Sequence, residues 1–159
     1  RILIMTFSFD EQGFLPPEII KCSTTEFYEN FVEPFPLSET RKLLYANWLE
    51  YVGSLRELTG QGFIQWLNGS FVTTKVNPQD LDMVTFIDYQ IYRKFETDLE
   101  AYWTHHLEDQ GLDAYLVAIY PDYHPEYAKS VSFINDWKRR FHNNRYSQLK
   151  KGFLELTIT

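Results

Sequence analysis

Apolar residues recur along this chain with two different periods, and the switches between them mark out its elements. Leu43, Leu44, Trp48, Leu49, Val52 and Leu55 fall at helical spacing, which predicts an amphipathic helix over residues 39–58 that stops near Gly60. Ser38 is its expected N-cap, and Arg41 stands where a glutamate would complete a capping box. After the Gly60-Gln61-Gly62 break, FIQWLNG is short, rich in large apolar residues and stopped by glycine, which reads as a strand. LDMVTFI, residues 81–87, is a second strand entered from the Pro78 loop. Residues 89–109 carry Ile91, Phe95, Leu99, Tyr102 and Leu107 on or near one face and predict a second helix. LDAYLVAIY at 112–120 is a third strand, PDYHPEYAKS a turn-rich connection, 126–141 a helix, and the alternating FLELTI at 153–158 a final strand.

The segment before the first helix carries four of the seven prolines, so residues 1–37 are expected to form an irregular arm with short elements, attached to a unit over 38–159. The order predicts one small α/β or α+β domain, a mixed sheet with helices packed against it.

Composition narrows the class. A chain of 159 residues, 44% hydrophobic and 18% aromatic, is globular and large enough to bury a single core. The lone Cys22 excludes an internal disulfide framework, suits a reducing compartment and is expected to be a small buried hydrophobe. No apolar run reaches membrane-spanning length, and the opening RILIM is too short for a signal peptide, so a soluble cytoplasmic protein without a membrane partner is expected.

The net charge of −7 argues against broad binding to a nucleic-acid backbone. From Lys138 to Lys151, however, six basic residues occur with no acid. That run is either a solvated helix end or a local site for a phosphate or an acidic partner, which keeps RNA open without favouring it.

Candidate chemistry concentrates in NGSFVTTKVNPQDLDMV. Asp80 and Asp82 at a strand entrance would project to one face, and like charges held that close call for a cation. Mg²⁺, which takes oxygen ligands and keeps waters and phosphates in its shell, fits such a cluster. Asp113, near the start of the third strand, would supply a third acid. Gly69-Ser70 lets backbone approach a phosphate and offers donors to it, and Lys75 could add a point charge.

Leu67-Asn68-Gly69-Ser70, nine residues, then Asp80-Leu81-Asp82 with a later Asp113, resembles the signature of the DNA polymerase beta-like nucleotidyltransferase superfamily. The wording GSFVTTKVNPQDLD, with FDEQGFLPPEI upstream and KKGFLEL near the end, is similar to a small stand-alone bacterial family with that fold. The resemblance implies a minimal nucleotidyltransferase fold over 38–159, with Asp80, Asp82 and Asp113 as catalytic acids and ligands of Mg²⁺ or Mn²⁺. It further implies that Gly69, Ser70 and Lys75 hold the phosphates of a nucleoside triphosphate. The chain departs from the minimal nucleotidyltransferases of toxin-antitoxin pairs, whose loop carries Arg-Gly and Ser-Asp, so their substrate does not carry over.

Two functions are therefore weighed. One is Mg²⁺-dependent transfer of a nucleoside monophosphate from the triphosphate to a protein, RNA or small-molecule hydroxyl. The other is a catalytically weak or inactive protein of the same fold that binds a partner, as an antitoxin or in phage defence. Elsewhere, His105-His106 are adjacent on a helix and read as surface residues. Asp122, His124 and Glu126 in PDYHPEY could make a metal site, but Pro121 and Pro125 favour a rigid turn there, and Asp136, Trp137 and Phe141 read as helix packing with a polar rim.

Overall fold

The computed structural model describes residues 7–159; the RILIM opening, and with it the signal-peptide question, lies outside the described residues. Five strands, β1 (Ile19–Lys21), β2 (Phe63–Asn68), β3 (Leu81–Asp88), β4 (Leu112–Ile119) and β5 (Phe153–Ile158), form one mixed sheet in the order β1-β5-β2-β3-β4. β2 runs antiparallel to both neighbours, whereas β1 with β5 and β3 with β4 are parallel. Helices α1 (Thr24–Phe31), α2 (Arg41–Thr59), α3 (Tyr89–Lys94), α4 (Glu96–Leu99) and α5 (Tyr127–His142) complete an α+β architecture.

Because side chains alternate along a strand, each strand serves two cores. Leu67, Leu81, Met83, Ile87, Leu112, Leu116, Leu154 and Leu156 face α1 and α2, where Phe27, Phe31, Trp48 and Leu55 are fully buried. Trp66, Val84, Val117 and Phe153 face the other way and pack on Phe141, Ile134 and Trp137 of α5. The polar Gln65 in the first core is matched on both sides: Trp48 Nε1 donates to its Oε1 (2.7 Å) and its Nε2 donates to Thr85 Oγ1 (2.9 Å). Such pairing is what a buried amide requires.

The arm contributes more than loops. β1 extends the sheet, and α1 has a complete capping box, with Ser23 Oγ accepting from Glu26 N and Glu26 Oε1 accepting from Ser23 N. Phe27 and Phe31 then bury one face of α1 against α2. The arm and the carboxyl-terminal strand are joined directly, Gly152 N donating to Leu15 O (3.1 Å).

Two expectations are corrected. The helix over 89–109 is broken at Phe95 and continues as α4 and three single 3-10 turns ending at Gln110. This segment is the crossover between the parallel β3 and β4, and it must bring Leu99, Tyr102, Trp103 and Leu107 onto the core in one descent; a tighter, longer-rise path achieves this where one straight helix would not. The second correction is the start of α2, at Arg41 rather than 39, although Ser38 Oγ still accepts from the Arg41 amide (3.1 Å). Leu43 and Leu49 lie on its exposed side; the buried stripe is Arg41, Leu44, Trp48, Tyr51, Val52, Leu55 and Thr59. Cys22 is buried, and that burial pushes its thiol up to about 12, as expected of an inert hydrophobe. No helix among the described residues is long and apolar enough to cross a membrane.

Candidate active site

β2 ends and β3 begins at the same edge of the sheet, so the connection between them leaves and returns at one place. Asn68 pairs with Asp82 in the antiparallel ladder, and Asp82 pairs with Asp113 in the parallel one. Adjacent strands lie about 4.8 Å apart, so Asn68, Asp82 and Asp113 form a row across three strands on the face that carries α5. Asp80 is exposed and stands just outside β3, which starts at Leu81, but it flanks the same row.

Gly69 explains why the motif's two halves belong together. Its φ of +87° falls in the region that non-glycine residues avoid. A Cβ at that position would also lie 2.8 Å from Asp82 Oδ2 and 3.0 Å from its Cγ, so the carboxylate rests directly on the glycine. Ser70 to Val72 then form a 3-10 turn whose Phe71 and Val72 are buried as a plug. Thr73 closes the loop, its Oγ1 donating to Ser70 O (2.6 Å) and accepting from Lys75 N (3.1 Å).

The row opens into a cleft of about 930 Å³ lined on one side by Gly69, Ser70, Thr73, Thr74 and Lys75 and on the other by Tyr115, Trp137, Arg140, Arg145 and Lys151. Gln12 and Phe14 of the arm reach it as well. Their turn is clipped to the loop: Thr74 N donates to Gly13 O (3.1 Å), and a side chain at Gly13, whose φ is +87°, would overlap Thr74 Oγ1.

Electrostatics distinguish the three acids. Burial, then the charges of Asp80 and Asp113, push Asp82 up from 3.8 to about 6, against the opposing pull of Lys151 and Arg145. Burial lowers the Lys151 amine and Asp82 raises it; its Nζ donates to Asn68 Oδ1 (2.9 Å). Asp113 Oδ1 accepts from Thr104 Oγ1 (2.7 Å). Burial and Asp113 both raise the Tyr115 hydroxyl.

Among the described residues no group of three His, Cys, Asp or Glu closes on a single metal position. The donor chemistry nevertheless suits a hard cation: the donors are carboxylate oxygens, and beside burial the charges of Asp80 and Asp113 raise Asp82. Mg²⁺ characteristically uses one or two carboxylates and completes its shell with water and substrate phosphate, which an open row permits.

Thr104 was not singled out from sequence, Asn68 was read only as part of the glycine-serine motif, and Arg145 and Lys151 only as members of the basic run, not as neighbours of the acids. Lys151 and Arg145 belong to the basic run, whose final stretch folds back over the acids instead of continuing α5. The signal available was the absence of any acid in that run from a chain of net charge −7. The other expected candidates behave as structure. His105 and His106 sit in an exposed 3-10 turn. Glu126 pairs with Lys129, and His124 is packed between Tyr89 and Tyr120. Asp136 pairs with Arg139, while Trp137 and Phe141 pack on the sheet.

Residues 7–157 match a family of unknown function, DUF6932, and the chain belongs to that family. No curated protein and no solved structure matches the chain.

Proposed function

We propose that this DUF6932 member is a Mg²⁺-dependent nucleotidyltransferase of the polymerase beta-like kind, moving a nucleoside monophosphate from a nucleoside triphosphate to a hydroxyl on a protein, an RNA or a small molecule. One observation supports the reading above the others: the Asp82 carboxylate rests on Gly69, between Asn68 and Asp113 in the sheet, so the glycine-serine turn and the acids meet at one point.

In this reading Asp80, Asp82 and Asp113 are the ligands of Mg²⁺, or of Mn²⁺ in its place. The bound ion supplies charge neutralisation on the phosphates and acidity to the attacking hydroxyl. Ser70 and Lys75 hold the triphosphate from the loop side, and Lys151 with Arg145 hold it from the other. Such transfer depends chiefly on positioning and electrostatics. The acceptor oxygen bonds to the α-phosphorus, the bond to the β-phosphate oxygen breaks, and pyrophosphate leaves. Asp113 takes the hydroxyl proton and Thr104 orients its carboxylate.

A second reading has its own support. Asp113 is engaged by Thr104 and the acids form no closed group, as in a protein of this fold that binds a nucleotide or a partner protein, an antitoxin or phage-defence component, without turnover. Incubation with α-labelled ATP, CTP, GTP or UTP, Mg²⁺ and cell lysate separates the two. Label transfer lost in Asp80→Ala and Asp82→Ala supports the enzyme; nucleotide binding without transfer supports the binder; neither binding nor transfer removes both.

A further inference from the structure

The most unusual buried group in the molecule is Arg41, at the first turn of α2, whose side chain is fully buried (0% exposed). No carboxylate among the described residues is within ion-pair distance of it. Its guanidinium is satisfied by main-chain carbonyls: Nη1 donates to Phe31 O (2.6 Å) and Phe71 O (2.7 Å), Nη2 to Thr73 O (2.8 Å) and Lys75 O (2.5 Å), and Nε to Lys75 O (3.1 Å). The Phe35 ring lies 3.9 Å from it and the Phe71 ring 4.9 Å. Burial draws its pKa down to about 10, which leaves it charged at neutral pH.

A buried charge without a counter-ion is costly, and a carbonyl cage relieves that cost only in part. The cage has a direction. Three of its four carbonyls come from alternate residues of the loop that forms one wall of the cleft, so the negative ends of those peptide dipoles point inward, away from the cleft. The fourth, from Phe31, ties the same loop to α1. Only a planar fork with five donors spans such a set; an ammonium offers three donors from one point.

We propose that Arg41 is a positioning residue for phosphate binding: it holds the 70–75 loop with its carbonyls turned inward and sets a fixed positive charge behind it, making that wall receptive to a polyphosphate chain. This inference rests on the nucleotide reading and assigns the loop wall to phosphates while the aspartates serve the metal. Its consequence is a separation of two affinities that a merely structural role would not produce.

The test is calorimetric titration of wild type and Arg41→Lys with Mn²⁺ alone and with Mg²⁺-tripolyphosphate, beside hydrogen exchange of the 70–75 amides. In Arg41→Lys, tripolyphosphate affinity should fall by about tenfold or more and the loop amides should exchange faster, with Mn²⁺ affinity unchanged. Equal tripolyphosphate affinity in the two proteins, or a parallel loss of both affinities, overturns the role of Arg41 and leaves the nucleotide reading standing. Absence of tripolyphosphate binding by wild type overturns both. Should Arg41→Lys not fold, Phe35→Leu, which removes the ring against the guanidinium, is expected to weaken tripolyphosphate alone by about threefold; no change there counts against the proposal.

Discussion

At the far end of β3, Asp88 accepts from the amides of Gln90 (2.9 Å) and Ile91 (3.4 Å) and caps α3. Beside it Glu126 is paired with Lys129, and His124 is packed against two tyrosine rings while its Nδ1 accepts from Glu126 N. At the near end of the same strand, Asp82 lies among two other aspartates, partly buried, with its carboxyl driven up to about 6. Both ends carry acids, but only the near end brings them close enough to sense one another. At one end Asp88, His124 and Glu126 each find a local partner and support the fold; at the other the fold tolerates repulsion that a bound cation would relieve.

The largest effects are expected from substitutions at the near end. Asp82→Ala should lower transfer by about a hundredfold or more, on the scale of removing one preorganised electrostatic group. Gly69→Ala should do the same and also destabilise the fold by about 1–3 kcal/mol, because it forces a side chain into a positive φ and onto the Asp82 carboxylate. Label transfer and thermal melts measure the two effects separately. Full activity in either variant refutes the site.

Next in size is a difference in stability between the two ends. With metal chelated, Asp82→Asn should raise stability at pH 7 by roughly 2 kcal/mol, whereas Asp88→Ala should lower it by about 1 kcal/mol through loss of the cap. The sign follows from linkage. A carboxyl whose pKa rises from 3.8 to about 6 on folding binds its proton more tightly in the native state. Native protein then takes up protons that unfolded protein does not, so the Asp82 penalty is full above about pH 6 and fades as pH falls toward 3.8. The gain from Asp82→Asn should be present at pH 7 and absent near pH 4, read from denaturant midpoints; a gain independent of pH would show that charge is not its source.

Legibility from sequence followed the same division. The pairing of Gly69-Ser70 with Asp80 and Asp82 could be read because the motif is local and the β2–β3 antiparallel pair returns the chain to the same edge. Asp113 could be read because parallel register sets it directly beside Asp82. Lys151 and Arg145 could be read as part of a basic run open to a phosphate but not as neighbours of the acids, since their arrival there depends on how the stretch after α5 turns back, for which no short-range pattern exists. Arg41 was visible in principle: it continues the buried stripe Leu44, Trp48, Tyr51 and Leu55 at helical spacing, so a charge stood where the pattern demands an apolar residue. The expected stripe instead counted Leu43 and Leu49, because composition alone cannot say which apolar side of a helix meets the sheet. The strands of the sheet were found within a residue or so except β1, whose three residues are stabilised only by pairing with distant β5. The capping box at Ser23 and Glu26 was a readable sign of α1 within the arm.

A smaller effect comes from Lys151, whose Nζ donates to Asn68 beside Asp82 and whose charge lowers the Asp82 carboxyl. Lys151→Met keeps most of the side chain's length and removes the charge. Nucleotide affinity should fall by about tenfold, and the Asp82 carboxyl should titrate higher, because a lysine that lowers it is gone. Carbon-13 NMR of labelled aspartate gives that titration directly. An unchanged Asp82 midpoint would mean that the two groups do not sense each other.

The smallest effect belongs to the far end and serves as the control for all the others. Glu126→Gln removes the partner of Lys129, an exposed pair one helical turn apart whose attraction is screened by water. No resolvable change is expected in melting temperature, nucleotide binding or transfer. The result has force because the variant deletes an acid beside a histidine and a second acid, a grouping that, by composition alone, rivals Asp80, Asp82 and Asp113. If Glu126→Gln abolished transfer while Asp82→Ala spared it, the chemistry would lie at the opposite end of β3, where the acids are already satisfied; spatial clustering without unrelieved repulsion would then be the better guide to function in this fold.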